Sequence, residues 1–302
     1  MSEYFLETKD LSKKYGSHYA NEKINIHIKQ GQIYGLVGRN GAGKTTFMKL
    51  ICNIINKSSG KIIINGKAET ESKHVPMGTL IEAPALIQEL SAYENIILKC
   101  NLCGIKHASA HTNELLKLIQ LDKVGKKPVR SFSLGMRQRV GIAMALVGYP
   151  DLVVLDEPIN GLDPQGMAQI RDLLISLKDK GMTIIVSSHI LSELIKIADA
   201  FGVVSQGKLL TEMTIEELNV KLESTTEIDV DDIHAAEKFL KGKIDYKITD
   251  NSVILKKDIT VEDIEKINKA LVTNGINVSR IEVKKADVDD MFIEMMGGEH
   301  YA

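Results

Sequence analysis

Three stretches of this 302-residue chain carry residue types that could act on a phosphate ester. The first runs Gly38-Arg39-Asn40-Gly41-Ala42-Gly43-Lys44-Thr45-Thr46. Gly38 and Gly43 bracket a loop whose backbone N–H groups can turn inward toward an anion, and the N-terminus of a following helix adds partial positive charge. Asn40, Gly41 and Thr46 complete the set facing a nucleotide. Lys44 is placed to reach the outer phosphates, and the Thr45 hydroxyl to hold Mg2+. A glycine-rich turn that merely caps a helix would leave the Lys-Thr pair unexplained. The second stretch is Asp156-Glu157-Pro158. Beside a phosphate cradle its two carboxylates divide into roles: Asp156 holds Mg2+, directly or through water, and Glu157 orients and deprotonates the attacking water. A helix cap without chemistry is the plain alternative. The third is Ser187-Ser188-His189, whose histidine could touch the terminal phosphate or be structural.

Two further groups are weaker on their own. Ser133, in Ser131-Phe132-Ser133-Leu134-Gly135-Met136-Arg137-Gln138-Arg139, reads as an N-cap and hence a second anion-ready helix terminus. Tyr15 offers an aromatic face on which an adenine ring can stack, although a core or surface tyrosine fits the spacing equally. Cys100 and Cys103 with His107 and His111 look briefly like a zinc site. On one helix, however, Cys100 and His111 would lie about 16 Å apart along the axis, too far to share an ion unless the helix breaks at Gly104. Packing between helices is the better reading.

These residues need elements to hold them. The apolar run Ile33–Val37 precedes the glycine-rich loop, and Phe47, Leu50, Ile51 and Ile54 follow it at helical spacing. Leu152–Leu155 and Thr183–Val186 are short buried strands, each ending in one of the polar clusters, so all three clusters fall at the ligand-binding edge of an open α/β sheet. Between Tyr4 and Ile28 the pattern is strand-like, with Leu6, Leu11, Ile24, Ile26 and Ile28 inward. A further strand closes at the Asn65-Gly66 turn. Leu86 to Leu146 is helical in period, with the last helix at Val140–Leu146. Ile170, Leu173, Leu174 and Leu177 mark another helix, opened by Gly161-Leu162-Asp163-Pro164.

Composition narrows the class. A formal charge of -2 and a pI of about 6.5 announce no broad basic surface, so nucleic acid is not an expected partner. No apolar run reaches the roughly 18 residues of a membrane helix, and Met-Ser-Glu-Tyr-Phe-Leu-Glu lacks a signal sequence. Three cysteines suit a reducing compartment. The expectation is a soluble, cytoplasmic chain.

Together these motifs resemble the nucleotide-binding subunit of ABC transporters over about residues 3–215. GRNGAGKTT is similar to the Walker A loop, LVVLDEP to the Walker B strand, FSLGMRQR to the signature loop, GLDP to the D-loop and SSH to the histidine switch. Leu134 and Met136 replace a glycine and a glutamine of the usual signature, while Ser133 and Gly135 stay in register. Glu82, within LIEAPALIQELSAYENI, stands where the family's Q-loop has glutamine, a departure that resembles bacitracin and lantibiotic resistance or immunity exporters. The resemblance implies a P-loop NTPase with a RecA-like α/β core, an antiparallel β subdomain and a helical insertion at about residues 84–146. It implies Mg2+-dependent ATP hydrolysis, adenine stacking on Tyr15, and Glu82 beside the metal held by Thr45 and Asp156. It also implies a head-to-tail dimer in which each nucleotide lies between Lys44 of one copy and Ser133 and Gly135 of the other, with Asp163 linking the sites. Separate permease chains at the inner face of the cell membrane would be the partners. A soluble ABC protein acting on ribosomes, nucleic acid or a biosynthetic assembly is the rival, and a bare P-loop kinase or GTPase would leave FSLGMRQR unexplained.

Beyond this ATPase part, taken as residues 1–221, residues 222–302 read as β-α-β-β-α-β, a small ferredoxin-like α+β domain. Its function is not legible. The stretch Asp287 to Glu299 resembles tails of exporter ATPases.

Overall fold

A computed structural model describes residues 3–68, 75–221, 225–241, 246–249, 252–256, 260–284, 288 and 291–292. The chain divides into two compact units, Met1–Ile215 and Glu216–Ala302.

The first unit contains two sheets. Six strands lie in the order Lys208–Thr214, Ala200–Ser205, Ile33–Val37, Thr183–Ser188, Leu152–Leu155 and Met77–Leu80. All neighbours are parallel except the first pair. Ile33–Val37, Leu152–Leu155 and Thr183–Ser188 are buried at every residue, which is why they read as continuous runs rather than as alternating patterns. The second sheet is antiparallel. It is built on Leu6–Tyr15, which pairs with His18–Ile24, His27–Ile28 and Ser59–Ile64, with Lys67–Ala68 at its far edge. Leu6, Leu11, Ile24, Ile26 and Ile28 are fully buried and share one apolar core with Phe47, Met48 and Leu50 of the first helix.

That helix, Lys44–Ile51, is shorter than its periodicity suggests. It stops before Asn53, which takes a left-handed φ of 54°, and Ile54 is exposed. The helical insertion also starts later. Ser91 and Glu94 form a reciprocal capping box that opens helix Ala92–Leu102. Residues 86–91 are instead a loop tied to buried Asn95, whose side chain bonds the Ile87 N–H at 2.8 Å and the Ser91 carbonyl at 2.9 Å. Helix Ala108–Leu118 follows a break at Gly104 (φ 68°). The Cys/His group has other partners: buried Cys100 faces Thr112 at 3.7 Å, while His111 stacks edge-on against Tyr149 and accepts from the Gly148 N–H. The next helix runs Leu134–Ala145, six residues earlier than its apolar run suggests, because Ser133 caps it. Helix Pro164–Asp179 buries Ile170, Leu173, Leu174 and Leu177.

The second unit has strands Thr225–Val230, Tyr246–Ile248, Ser252–Lys256 and Val278–Lys284 with helices Ile233–Leu240 and Val261–Thr273. In chain order within the unit the strands pair second, third, first, fourth, all antiparallel. Each β-α-β pair is split by a strand of the other, which is the ferredoxin-like arrangement. Its core is its own, made by Ile228, Val253, Leu255, Leu240 and Leu271. Most of the tail from Asp287 to Glu299 lies outside the described residues.

Candidate functional site

The site begins with register. Val37 lies opposite Ser188, and Leu155 opposite Val186. Three parallel strands therefore end together, and their continuations must share one edge. Gly43 caps the Lys44–Ile51 helix with φ 108°, and a Cβ there would stand 2.4 Å from the Ala20 carbonyl. Glycine is required at that turn, and the turn aims the first helical N–H groups into the loop.

Lys44 is 5% exposed. Its Nζ donates to the Gly38 carbonyl at 2.5 Å and to the Arg39 carbonyl at 3.2 Å, and lies 3.2 Å from Glu157 Oε1. The ammonium thus spans the mouth of the loop, where an anion would replace its carbonyl partners. Thr45 Oγ1 donates to Asp156 Oδ2 at 2.7 Å, and the Ser187 hydroxyl donates to Asp156 Oδ1 at 2.6 Å. Ser187 Oγ also accepts from the Glu157 N–H at 2.8 Å. One hydroxyl therefore ties the Asp156 carboxylate to the Glu157 backbone. His189 Nδ1 donates to Glu157 Oε2 at 2.8 Å. Glu157 takes φ 48°, a conformation of sparse population that clusters at functional sites.

Glu157 Oε1 is buried and makes no hydrogen bond within the described chain, because the Lys44 contact has ion-pair distance without hydrogen-bond geometry. With only the Lys44 ion pair on it, this buried carboxylate oxygen can accept a hydrogen bond from a donor outside the chain. A water held for attack is such a donor. Thr45 Oγ1 and Asp156 Oδ2 are hard oxygen donors side by side, which suits Mg2+ and not a soft metal. The site residues therefore fit both a phosphate and its cation.

The structure brings together Gly38, Gly43, Lys44, Thr45, Asp156, Glu157 and His189. The remaining candidates have partners of their own. Glu82 is largely exposed at φ 66°, and its carboxylate is taken by Lys49 at 2.5 Å. Tyr15 ends its strand half exposed, with the Lys13 ammonium 4.8 Å from its ring centre. Ser133 and Asp163 each cap a helix, accepting from Met136 N–H and Gly166 N–H. Leu134 lies over Gly161 and Leu162 beside Gly135, so these two loops pack together. Ser187 was visible in the sequence only as part of a motif. Its bridging role could have been suspected from a hydroxyl ending a wholly apolar strand, since buried hydroxyls take partners.

Away from the chemistry, Cys52 follows the first helix, and burial pushes its thiol up to about 12. Among the described residues no helix is long and apolar enough to cross a membrane.

Comparison with known proteins is consistent with this geometry. Residues 21–160 match the ABC transporter family. The chain is 39% identical to the bacitracin transport ATP-binding protein BcrA of Enterococcus faecalis over 98% of its own length and 97% of that protein's. It is 41% identical to the lantibiotic transport ATP-binding protein SrtF of Streptococcus pyogenes over 68% of its own length and 90% of that protein's. Among solved structures, cbiO1 of Clostridium perfringens, part of the ABC transporter complex cbiONQ, is 27% identical with a TM-score of 0.65, covering 73% of this chain and 92% of that one. A dimeric ATP-binding cassette bound to ADP and Pi, 24% identical, shares the fold at a TM-score of 0.63 over 70% of this chain and 98% of that one. The phosphate loop, the strand-end carboxylates and a match of nearly full length place this chain in the ABC transporter family, as an ATP-hydrolysing, ATP-binding subunit.

Proposed function

We propose that the chain powers an exporter of peptide antibiotics of the bacitracin or lantibiotic type, working as a Mg2+-dependent ATPase with separate permease chains at the inner face of the cell membrane. The substrate class is supported by the relatives' names and by Glu82 at the Q-loop position. The chemistry is supported by one observation above all: Glu157 has one oxygen held by His189 and the other buried without a hydrogen bond. Oε1 is then the atom that takes a proton from water as the water oxygen attacks the γ-phosphorus. The bond to the bridging oxygen breaks, and ADP leaves with that oxygen. Thr45 and Asp156 would hold a magnesium ion, which would neutralise phosphate charge. Lys44 exchanges its loop carbonyls for phosphate oxygens and stabilises the charge spread over them.

The site is completed by a second copy, which presents Ser133 and Gly135 to the γ-phosphate of the first, with Asp163 between the two sites. Closure on ATP and opening after hydrolysis would couple the chemistry to the permease as a ligand-driven population shift. Affinity capture from detergent-solubilised membranes of the native host is expected to recover a polytopic permease. Deleting the gene should raise sensitivity to a peptide antibiotic. Capture of a soluble complex alone, with unchanged sensitivity, would sink the reading.

A further inference from the structure

The phosphate loop is gripped from outside by a side chain that phosphate chemistry does not itself require. Asn21 lies in the edge strand His18–Ile24, opposite Lys13 in the ladder, and is fully buried. Its Nδ2 donates to the Gly43 carbonyl at 3.1 Å. A carbonyl only accepts, so this contact fixes the amide's orientation and turns Oδ1 away. Oδ1 is buried with no hydrogen-bond partner in the described chain. A buried acceptor without a partner in the chain lowers stability.

The backbone around Asn21 is clamped to the same loop. Glu22 N–H donates to the Gly207 carbonyl at 2.7 Å, and Gly207 N–H donates to the Ala42 carbonyl at 2.9 Å. Gly207 takes φ 76°, and a Cβ on it would stand 2.9 Å from the Ala20 carbonyl. Only glycine allows so close a bridge in that conformation. At Gly43 a Cβ would lie 2.7 Å from Asn21 Nδ2. Two glycines therefore admit the Ala20–Glu22 edge against Ala42 and Gly43, and the Asn21 amide supplies the directional contact. The same strand turns back through His18 to pair with Tyr15, so it joins the hairpin that carries Tyr15 to the loop that carries Lys44.

We propose that Asn21 is a positioning residue for nucleotide binding, a proposal that rests on the ATP-binding reading of the loop. It pins the Gly43 carbonyl and so sets the start of the helix bearing Lys44 and Thr45.

The sign of this effect separates it from simple packing. Asn21→Leu removes both the donor and the unpaired acceptor at similar volume. The full-length nucleotide-free variant should melt at an unchanged or higher temperature. Its Kd for MgADP by calorimetry should rise about fivefold to twentyfold, and KM for ATP should rise by a similar factor while kcat stays within about twofold. Asn21→Asp turns an oxygen toward the Gly43 carbonyl and should weaken MgADP binding at least as much. A leucine variant that melts lower or fails to fold while the aspartate variant keeps the original Kd would make Asn21 a packing residue and overturn the proposal. So would a fall in kcat at constant KM. Unaltered protein that does not bind MgADP would overturn the ATP-binding reading instead.

Discussion

The two surfaces that we propose meet on one nucleotide are built in opposite ways. On the Lys44 side the polar groups are held by one another, with Glu157 Oε1 the exception that makes an ion pair but no hydrogen bond. Lys44 and Asp156 are both 5% exposed, and Thr45, Ser187, Glu157 and His189 close a chain of hydrogen bonds around them. On the Ser133 side the hydroxyl is exposed and merely caps its own helix, 3.2 Å from the Met136 N–H. Gly135 next to it has room: a Cβ would meet only Leu162, at 3.6 Å. One half is held in place by burial, where unpaired polar atoms are costly and geometry is stiff. The other is a helix terminus, whose first N–H groups have no partner within the helix.

That contrast can be broken or sharpened experimentally. The largest effect is expected on the buried half. Glu157→Gln keeps the shape and the His189 contact but removes the base, so ATP turnover should fall by about 10²- to 10⁴-fold with MgADP binding retained. Lys44→Ala should instead weaken MgADP binding itself, by about tenfold to a hundredfold. Full turnover in the glutamine variant would remove Glu157 from its role.

Next in size are changes on the exposed half. Ser133→Asp preserves an N-cap but sets a negative charge against phosphate. It should lower turnover by about tenfold or more while leaving MgADP affinity of the isolated chain within about twofold. A parallel loss of affinity would mean that Ser133 acts within its own chain. Gly135→Ala sharpens the comparison further, because the fold tolerates it. Alanine should stabilise the helix by up to about 1 kcal/mol, so a higher melting temperature together with lost ATPase activity would place the clash outside the chain. Unimpaired ATPase would remove Gly135 from the proposed interface.

The smallest effect concerns accessibility around the first helix. With its thiol at about 12, Cys52 is about one part in ten thousand thiolate at pH 8, whereas Cys103 is exposed. Thiol labelling of the native chain followed by mass spectrometry should mark Cys103 first, with Cys52 and buried Cys100 reacting on unfolding. Rapid labelling of Cys52 would show that the helix end opens in the native state.

Much of the fold was legible because each signal was local. Glycines before Lys44-Thr45, apolar runs ending in Asp156 and Ser187, and the β-α-β-β-α-β order beyond residue 225 all follow from side-chain period and turn chemistry. The misreadings share a cause as well. Ile54 kept helical spacing after the helix had ended, and residues 86–91 kept it while wrapping around Asn95. In both cases a turn or a buried amide overrode periodicity, which records apolar spacing but not hydrogen-bond partners.

By itself the sequence determined which residues could do chemistry and which strand or helix each would end or begin. It also determined that the second unit would carry its own core, because alternation and amphipathic spacing are properties of neighbouring residues. Only the tertiary structure decided which strand lies beside which, and hence that Ser187 ties Asp156 to Glu157, that Lys49 holds Glu82, and that Asn21 grips Gly43 from another sheet. Those contacts join groups far apart in the chain. They form because burying a polar atom demands a partner, and the identity of that partner depends on strand order and register rather than on any local pattern.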